Sequence, residues 1–237
     1  MTATDMATLK REIKVLTFDQ YGTVVDMQTG LTQVVTPFLQ VKGWSGEPHR
    51  FVTWWRRTHY EDSMIDALCN RGHTPYREIG HRAVSHVMQR AGIAYTQDEV
   101  RWLVSQIETL RPFPDAIAAL QQLQTRYRLV ILSNGDRDML EHAQPYLGFA
   151  FDQTISVAEA GYFKPHFATY QKAEELLGEA RSRIMHIANH AFDCIGAKAY
   201  GMRTAWIKRR QRPVWETPHQ PDLIVRNFTE LAAVLGE

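Results

Sequence analysis

Short apolar runs that alternate with longer amphipathic segments constrain this fold more than any other feature of the sequence. The runs are four to six residues long and rich in β-branched side chains. Because they are apolar on both faces, they are typical of strands buried in a parallel sheet. The predicted strands are Ile13–Phe18, Arg128–Ser133, Gln153–Val157, Arg183–Ile187, Arg203–Ile207 and Asp222–Val225.

Helical patterns separate the later strands. They cover Pro114–Thr125, Arg137–Leu147, Phe167–Leu177, Phe192–Tyr200 and Thr229–Leu235. Regular alternation of helix and strand predicts right-handed βαβ crossovers. The expected fold class is therefore α/β, with a doubly wound parallel sheet of the Rossmann-like type.

The segment after the first strand has no convincing strand pattern. Its predicted helices are Thr32–Gln40, Arg50–Cys69, Tyr76–Ala91 and Gln97–Leu110. A segment of this size is large enough to form a small domain. We therefore predict a helical cap of residues 28–110 inserted into a core of residues 1–27 and 111–237.

The charge balance excludes several partners. Lys and Arg total 27 against 26 Asp and Glu, so nothing favours nucleic acid or an anionic membrane surface as a partner.

The cysteine content and the apolar runs bear on where the protein works. Two cysteines make neither a disulfide framework nor a zinc pattern. No basic-then-apolar leader and no apolar run of about 20 residues is present. We expect a cytoplasmic protein without a nucleic-acid or membrane partner.

Polar clusters follow the predicted strands. In an open α/β sheet, ligands bind at the carboxyl ends of the strands. Taken singly, each cluster has an ordinary explanation as a turn or a surface lysine. The clusters are Asp19 with Gly22-Thr23, then Ser133-Asn134-Gly135, then Lys164-Pro165, and finally Asn189-His190 with Asp193.

In this order, the four clusters resemble the motifs of the haloacid dehalogenase superfamily, and the helical insertion resembles its cap domain. Phosphatases of that superfamily carry a second Asp two residues after the nucleophile, where this chain has Tyr21. They also carry a Gly-Asp pair where this chain has Ala188-Asn189. Mg²⁺ prefers anionic oxygen ligands, and neither Tyr21 nor Asn189 supplies a carboxylate. We therefore expect no metal and no cofactor.

The Asp-x-Tyr-Gly-Thr form of the first motif resembles the type II 2-haloacid dehalogenases, which act on L-2-haloacids without a metal. Trp55-Arg56 on the first long cap helix, Tyr170 and Phe192 fall at places that the group also fills. The resemblance implies hydrolysis of acids such as chloroacetate or L-2-chloropropionate to 2-hydroxyacids, and a homodimer.

The resemblance also assigns roles. Asp19 attacks the α-carbon and forms an aspartyl ester, while Lys164 keeps it ionised. Thr23 and Tyr170 orient these two groups, and Asp193 positions or activates the hydrolytic water. The remaining implied residues bind substrate or halide: Tyr21, Arg56, Ser133, Asn134, Asn189 and Phe192.

Several assignments have alternatives. Arg57 could point inward instead of Arg56. The family usually has Ser and Asn where this chain has Ala188 and His190, so His190 either acts as an alternative general base or only hydrogen-bonds at a strand end. Asp136 and Asp138 are expected to stabilise the helix that follows them through its dipole.

Two other functions stay open at this point. One is a Mg²⁺-dependent phosphatase or phosphonatase of the same fold, which the missing carboxylates disfavour. The other is a non-catalytic member that binds a small anion or a protein, which the altered residues Ala188 and His190 leave possible.

Overall fold

The described part of the chain forms one sheet of six parallel strands, in the order β3-β2-β1-β4-β5-β6 when the strands are numbered along the chain. A computed structural model describes residues 3–69, 72–209 and 216–236. The strands are β1 Val15–Phe18, β2 Arg128–Ser133, β3 Gln153–Ser156, β4 Ile184–Ala188, β5 Arg203–Ile207 and β6 Leu223–Val225. The predicted doubly wound parallel α/β fold is confirmed.

Helices cover both faces of the sheet. The core helices are α1 Ala3–Glu12, α6 Ala116–Gln124, α7 Arg137–Leu147, α8 Phe167–Leu177, α9 Ala191–Tyr200 and α10 Phe228–Gly236. One apolar cluster joins Leu16 and Phe18 of β1 to α6 and α10. A second joins Val15 and Val130 to Tyr170 and Ala197 on the opposite face. Burial on both faces explains why the strands read as continuous apolar runs.

The segment between β1 and α6 is helical. It contains α2 Met27–Val41, α3 Pro48–Cys69, α4 Tyr76–Arg90 and α5 Gln97–Ser105, followed by a 3-10 turn at Gln106–Thr109. Asp26 begins α2 by accepting a hydrogen bond from the N–H of Thr29. The predicted α-helix to Leu110 is therefore too long, because its last turn tightens after Ser105.

The inserted helices pack on the same edge of the sheet that carries the strand ends. Their apolar cluster, which includes Leu31, Trp55 and Val84, continues into Tyr21 and Phe163 of the core. This places α3 and α4 above the carboxyl ends of β1 and β2. None of the described helices is long and apolar enough to cross a membrane.

Candidate active site

Asp19 stands directly after β1, at the carboxyl edge of the sheet. The turn behind it closes on the carbonyl of Gln20, which accepts the N–H groups of Val24 and Val25 at 3.1 and 2.9 Å. Gly22 has a φ of +93°, which side chains rarely tolerate. This turn brings Thr23 back, and its hydroxyl donates to Asp19 Oδ2 at 2.7 Å.

The Lys164 ammonium is buried behind Asp19. Its Nζ donates to Asp19 Oδ1 at 2.9 Å, to Asp193 Oδ2 at 2.6 Å and to the carbonyl of Leu132 at 2.9 Å. These three acceptors use the full donor capacity of an ammonium group. Burial alone would lower the pKa of Lys164, but the two carboxylates outweigh it and raise that pKa.

Asp193 completes the buried group from α9. Tyr170 donates its hydroxyl to Asp193 Oδ1 at 2.8 Å, and Nε2 of His186 lies 3.0 Å from the same oxygen. Burial would raise the pKa of Asp193, and the nearby His186 and Lys164 lower it instead. Both oxygens of this fully buried carboxylate are therefore occupied by donors.

Asp19 is held as an anion. Burial raises its pKa, but the charge of Lys164 and the contact with His190 hold the pKa well below its usual range. Each oxygen accepts one strong hydrogen bond, so the carboxylate is fixed in orientation as well as ionised. A buried, ionised and oriented carboxylate can act as a nucleophile.

A divalent cation does not fit this donor set. Asp19 and Asp193 are the two carboxylates of the centre, and the ammonium of Lys164 already stands between them. Tyr21, which stands where the resemblance to phosphatases would require a second Asp, has its ring against Gly135. The described residues hold no cluster of three or more His, Cys, Asp or Glu side chains suited to a metal.

Arg56 and His190 lie on the open side of Asp19. A Cβ atom placed on Gly22 would lie 3.0 Å from Nη2 of Arg56 and 3.3 Å from Nε2 of His190. The other ring nitrogen, Nδ1 of His190, is 3.5 Å from Asp19 Oδ2. Gln28 accepts from Nη1 of Arg56 at 2.9 Å, whereas Arg57 pairs with a glutamate on the surface. Arg56 is thus the arginine that faces the site.

Phe192 forms an apolar wall beside these polar groups. Its ring centroid lies 5.6 Å from that of His190 and 4.6 Å from that of Tyr60, which comes from α3. Tyr60 was not predicted as a site residue. An aromatic residue on a helix is as typical of a packed core as of a binding site, so no sequence signal distinguished Tyr60.

Residues in the loops after β2 and β4 hydrogen-bond to the backbone around Asp19 and Lys164. Asn134 accepts the backbone N–H of Lys164 at 3.0 Å, and Asn189 donates to the carbonyl of Gly22 at 3.0 Å. Ser133 is fully buried, and its hydroxyl oxygen accepts the N–H of Gly135 at 3.2 Å. In this structure Asn134 and Asn189 hold neighbouring loops in place.

Comparison with known protein families agrees with the fold and with the arrangement of Asp19, Lys164 and Asp193. A family model for haloacid dehalogenase-like hydrolases matches residues 13–201. The chain belongs to this family.

Relatives of this chain in the family are named as dehalogenases of halogenated acids. An (S)-2-haloacid dehalogenase of Pseudomonas putida is 26% identical over 223 residues, which cover 93% of this chain and 96% of the relative. A haloacetate dehalogenase of a Moraxella strain is 27% identical over 218 residues, covering 91% and 94%. The resemblance predicted from the strand-end motifs is confirmed.

A solved structure of a dehalogenase has the same fold as this chain. The L-2-haloacid dehalogenase of Xanthobacter autotrophicus is 25% identical and superposes with a TM-score of 0.84, covering 94% of this chain and 98% of that one. A second structure of that protein, with chloropropionic acid covalently bound, matches equally well.

Within this haloacid dehalogenase-like hydrolase, two further side chains near the site were missed. Asp136 does not cap the helix that it precedes. Its oxygens instead accept the backbone N–H groups of Tyr76 and Arg77 at 2.8 and 2.9 Å, the first two residues of α4. The expected effect of Asp136 on the dipole of α7 stays a prediction, since the residue does stand at the start of that helix. Its hydrogen bonds to α4 were not foreseen, because that partner is 60 residues away in sequence.

Tyr76 is the residue that this contact holds. Its ring lies parallel to that of Tyr21 with the centroids 6.1 Å apart, and it stacks on His59 at 3.9 Å. Burial raises the pKa of Tyr76, and so does the charge of Asp19, whereas Arg56 lowers it. Tyr76 is therefore a buried ring of the aromatic layer formed with Tyr21 and His59, close enough to the site to feel its charges.

Proposed function

We propose that this protein is a hydrolytic dehalogenase that converts short 2-haloacids to 2-hydroxyacids through an ester of Asp19. The observation that carries the proposal is the Asp19 carboxylate, which is buried, ionised and held at both oxygens. An arginine side chain faces it across the turn at Gly22. The covalently bound chloropropionic acid in a solved relative supports an ester intermediate.

In the first step, an oxygen of Asp19 attacks the carbon that bears the halogen. The new C–O bond forms as the carbon–halogen bond breaks, and the halide leaves with the bonding electron pair. Arg56 provides a cation and Phe192 an apolar wall where we propose that the halide charge develops. Ser133 and nearby backbone N–H groups are proposed to hold the substrate carboxylate. The leaving halide needs no proton.

In the second step, water attacks the carbonyl carbon of the Asp19 ester. The bond from the Asp19 carbonyl carbon to the substrate oxygen breaks, that oxygen takes one proton of the water and leaves as the hydroxyl of the hydroxyacid, and the second proton is released as the carboxylate of Asp19 is restored. Asp193 is poorly suited to take the proton of this water, because both of its oxygens are occupied and it is fully buried. His190 lies 3.5 Å from Asp19 Oδ2 with 32% of its side chain exposed, so we assign it the role of general base.

The inserted helices contribute to both steps. We propose that residues 28–110 act as a cap over the core of residues 1–27 and 111–237, and that they exclude water during the displacement. Arg56 on α3 is the cap residue that reaches the centre. Its contact with Gln28 links α3 to α2, so that the arginine moves with the cap.

The test is halide release from chloroacetate and L-2-chloropropionate, with and without EDTA. We expect release that EDTA does not affect and that Asp19→Asn abolishes. The matched control is Asp26→Asn, which changes a nearby carboxylate but leaves a good helix cap. Phosphate release from phosphomonoesters that depends on Mg²⁺, without halide release, would contradict the proposal.

The ester itself is tested by a single turnover in heavy-oxygen water with enzyme in excess. Because water attacks the Asp19 carbonyl carbon, the label should enter Asp19 and stay out of the first hydroxyacid formed. Label in the hydroxyacid after one turnover would show direct attack by water. An Arg56→Ala variant should lose kcat/KM by about 100-fold or more, as for other charge-stabilising groups, while Arg57→Ala should not.

A further inference from the structure

A row of polar side chains crosses the middle of the sheet behind the nucleophile. Thr17 of β1, His186 of β4 and Thr204 of β5 are register partners in parallel strands, so their side chains lie on the same face. All three are fully buried. A histidine in the centre of an otherwise apolar sheet requires an explanation, because burial of a polar group is costly without partners.

His186 connects β1 to the buried charges. Its Nδ1 is 2.9 Å from the hydroxyl oxygen of Thr17, and its Nε2 is 3.0 Å from Asp193 Oδ1. With its proton on Nε2, the ring accepts from Thr17 and directs an N–H dipole toward Asp193. Nε2 has no partner in hydrogen-bonding geometry, so its 3.0 Å contact with Asp193 is electrostatic and not a hydrogen bond. Tyr170, whose ring packs edge-on against His186, shares the same carboxylate oxygen.

The charges of the centre show why this contact matters. Two carboxylates, Asp19 and Asp193, share the single ammonium of Lys164. One cation cannot neutralise two buried anions, and an uncompensated buried charge is strongly unfavourable. A dipole that stabilises the negative charge of Asp193 weakens the pull of this carboxylate on the Lys164 ammonium. The ammonium can then keep its bond to Asp19.

We propose that His186 is a positioning residue for the nucleophile. It holds Asp193 Oδ1 from β4, so that Lys164 is shared between both carboxylates and fixes Asp19 for attack. Thr17 orients the ring by occupying Nδ1. The role in catalysis rests on the proposed function, whereas the contact with Asp193 does not.

The ionisable groups that face His186 are Asp193 from α9 and Tyr170 from α8, with Lys164 behind the carboxylate. Without the histidine, Tyr170 remains as the donor to Oδ1. Asp193 then attracts Lys164 more strongly, and Asp19 loses the bond that orients it. The expected defect is in the rate of ester formation, since the groups that bind substrate are unchanged.

Two substitutions separate hydrogen bonding from packing. His186→Phe keeps a planar ring but removes both nitrogens, while His186→Gln can place an amide N–H near the Nε2 position. A displacement of a reacting group by an ångström can cost about 100-fold in rate, so a smaller shift predicts a loss of about 10-fold or more in the phenylalanine variant. The glutamine variant should recover most of it.

The readout is halide release in the first turnover, together with kcat and KM. We expect His186→Phe to lower the first-turnover rate and kcat with little change in KM, and Thr17→Val to do so more weakly. Thr204→Val is the matched control, because Thr204 has a buried hydroxyl in the same row without a hydrogen-bond partner. It should behave as the unaltered protein.

Three results would overturn the proposal: full activity in His186→Phe, equal losses in the phenylalanine and glutamine variants, or a loss in Thr204→Val as large as in His186→Phe. If the unaltered protein releases no halide, the proposed function fails, and thermal unfolding tests the contact alone. His186→Phe and Asp193→Asn should then be non-additive in their effects on Tm. Additive effects would refute the contact.

Discussion

Helix α4 should depend on a single carboxylate, that of Asp136, for part of its stability. Asp136 accepts the N–H groups of the first two residues of α4, and the residue before them, Pro75, offers no side-chain oxygen. Loss of a helix cap costs about 1 kcal/mol and up to about 2 kcal/mol. Because Asp136 accepts two bonds and is nearly buried, Asp136→Ala should lie at the upper end, about 2 kcal/mol.

The loss can be measured by thermal unfolding followed by circular dichroism. For a domain of this size, about 1 kcal/mol lowers Tm by about 2–4 °C, so Asp136→Ala should lower it by about 4–8 °C. Asp136→Asn, which keeps one acceptor oxygen, should lose about half as much. The control is Asp138→Ala, which removes a half-exposed partner of Arg77 and should change stability by less than about 1 kcal/mol. Equal Tm values for Asp136→Ala and Asp138→Ala would refute the assignment of Asp136 as the cap of α4.

Two further predictions follow from the packing and charge of the core. Gly196→Ala would place a Cβ 2.4 Å from Cβ of Pro165, the residue after Lys164. Urea unfolding should therefore show a loss of about 1–3 kcal/mol in the free energy of unfolding. An unchanged urea midpoint would contradict this close contact. The lowered pKa of Asp19 means that its ionised form stabilises the fold above its unfolded pKa of about 4, and that this stability is lost as pH falls further. The raised pKa of Lys164 has the opposite consequence, with stability lost only as pH rises above about 10.5, so urea midpoints measured across pH should fall at both ends.

The sheet could be predicted because its strands are marked at both ends. Arg128–Ser133 and Arg203–Ile207 were predicted with the bounds that the structure shows. Both are apolar runs bounded by turn residues, a local signal that does not depend on the rest of the fold. Once the strands are parallel, their carboxyl ends meet at one edge, and Asp19 and Lys164 are brought together by topology.

Other features depend on contacts between distant residues and had no local signal. Helix α1 precedes β1 without a strong cap or period, and it is fixed by burial of Leu9 against the core. His186 read as one polar residue in an apolar strand, and its partners Thr17 and Asp193 are brought to it by the register of β1 and by α9. Asp136 had a sufficient local explanation, which concealed its bonds to α4.

The centre has a closed side and an open side, and they differ in how far a resemblance can predict them. The closed side, with Asp19, Lys164 and Asp193, is built on the sheet and α9, where a change in one charge leaves another uncompensated. The open side is formed by Arg56 from α3 and His190 from the loop after β4, which can change without removing a strand of the sheet. Of the two departures from the family pattern, Ala188 is buried at the end of β4, whereas His190 lies on the open side, where a change alters the base that activates water. Replacing His190 should therefore slow ester hydrolysis while the first release of halide continues, and a burst of halide followed by slow turnover in His190→Ala would separate the two sides experimentally.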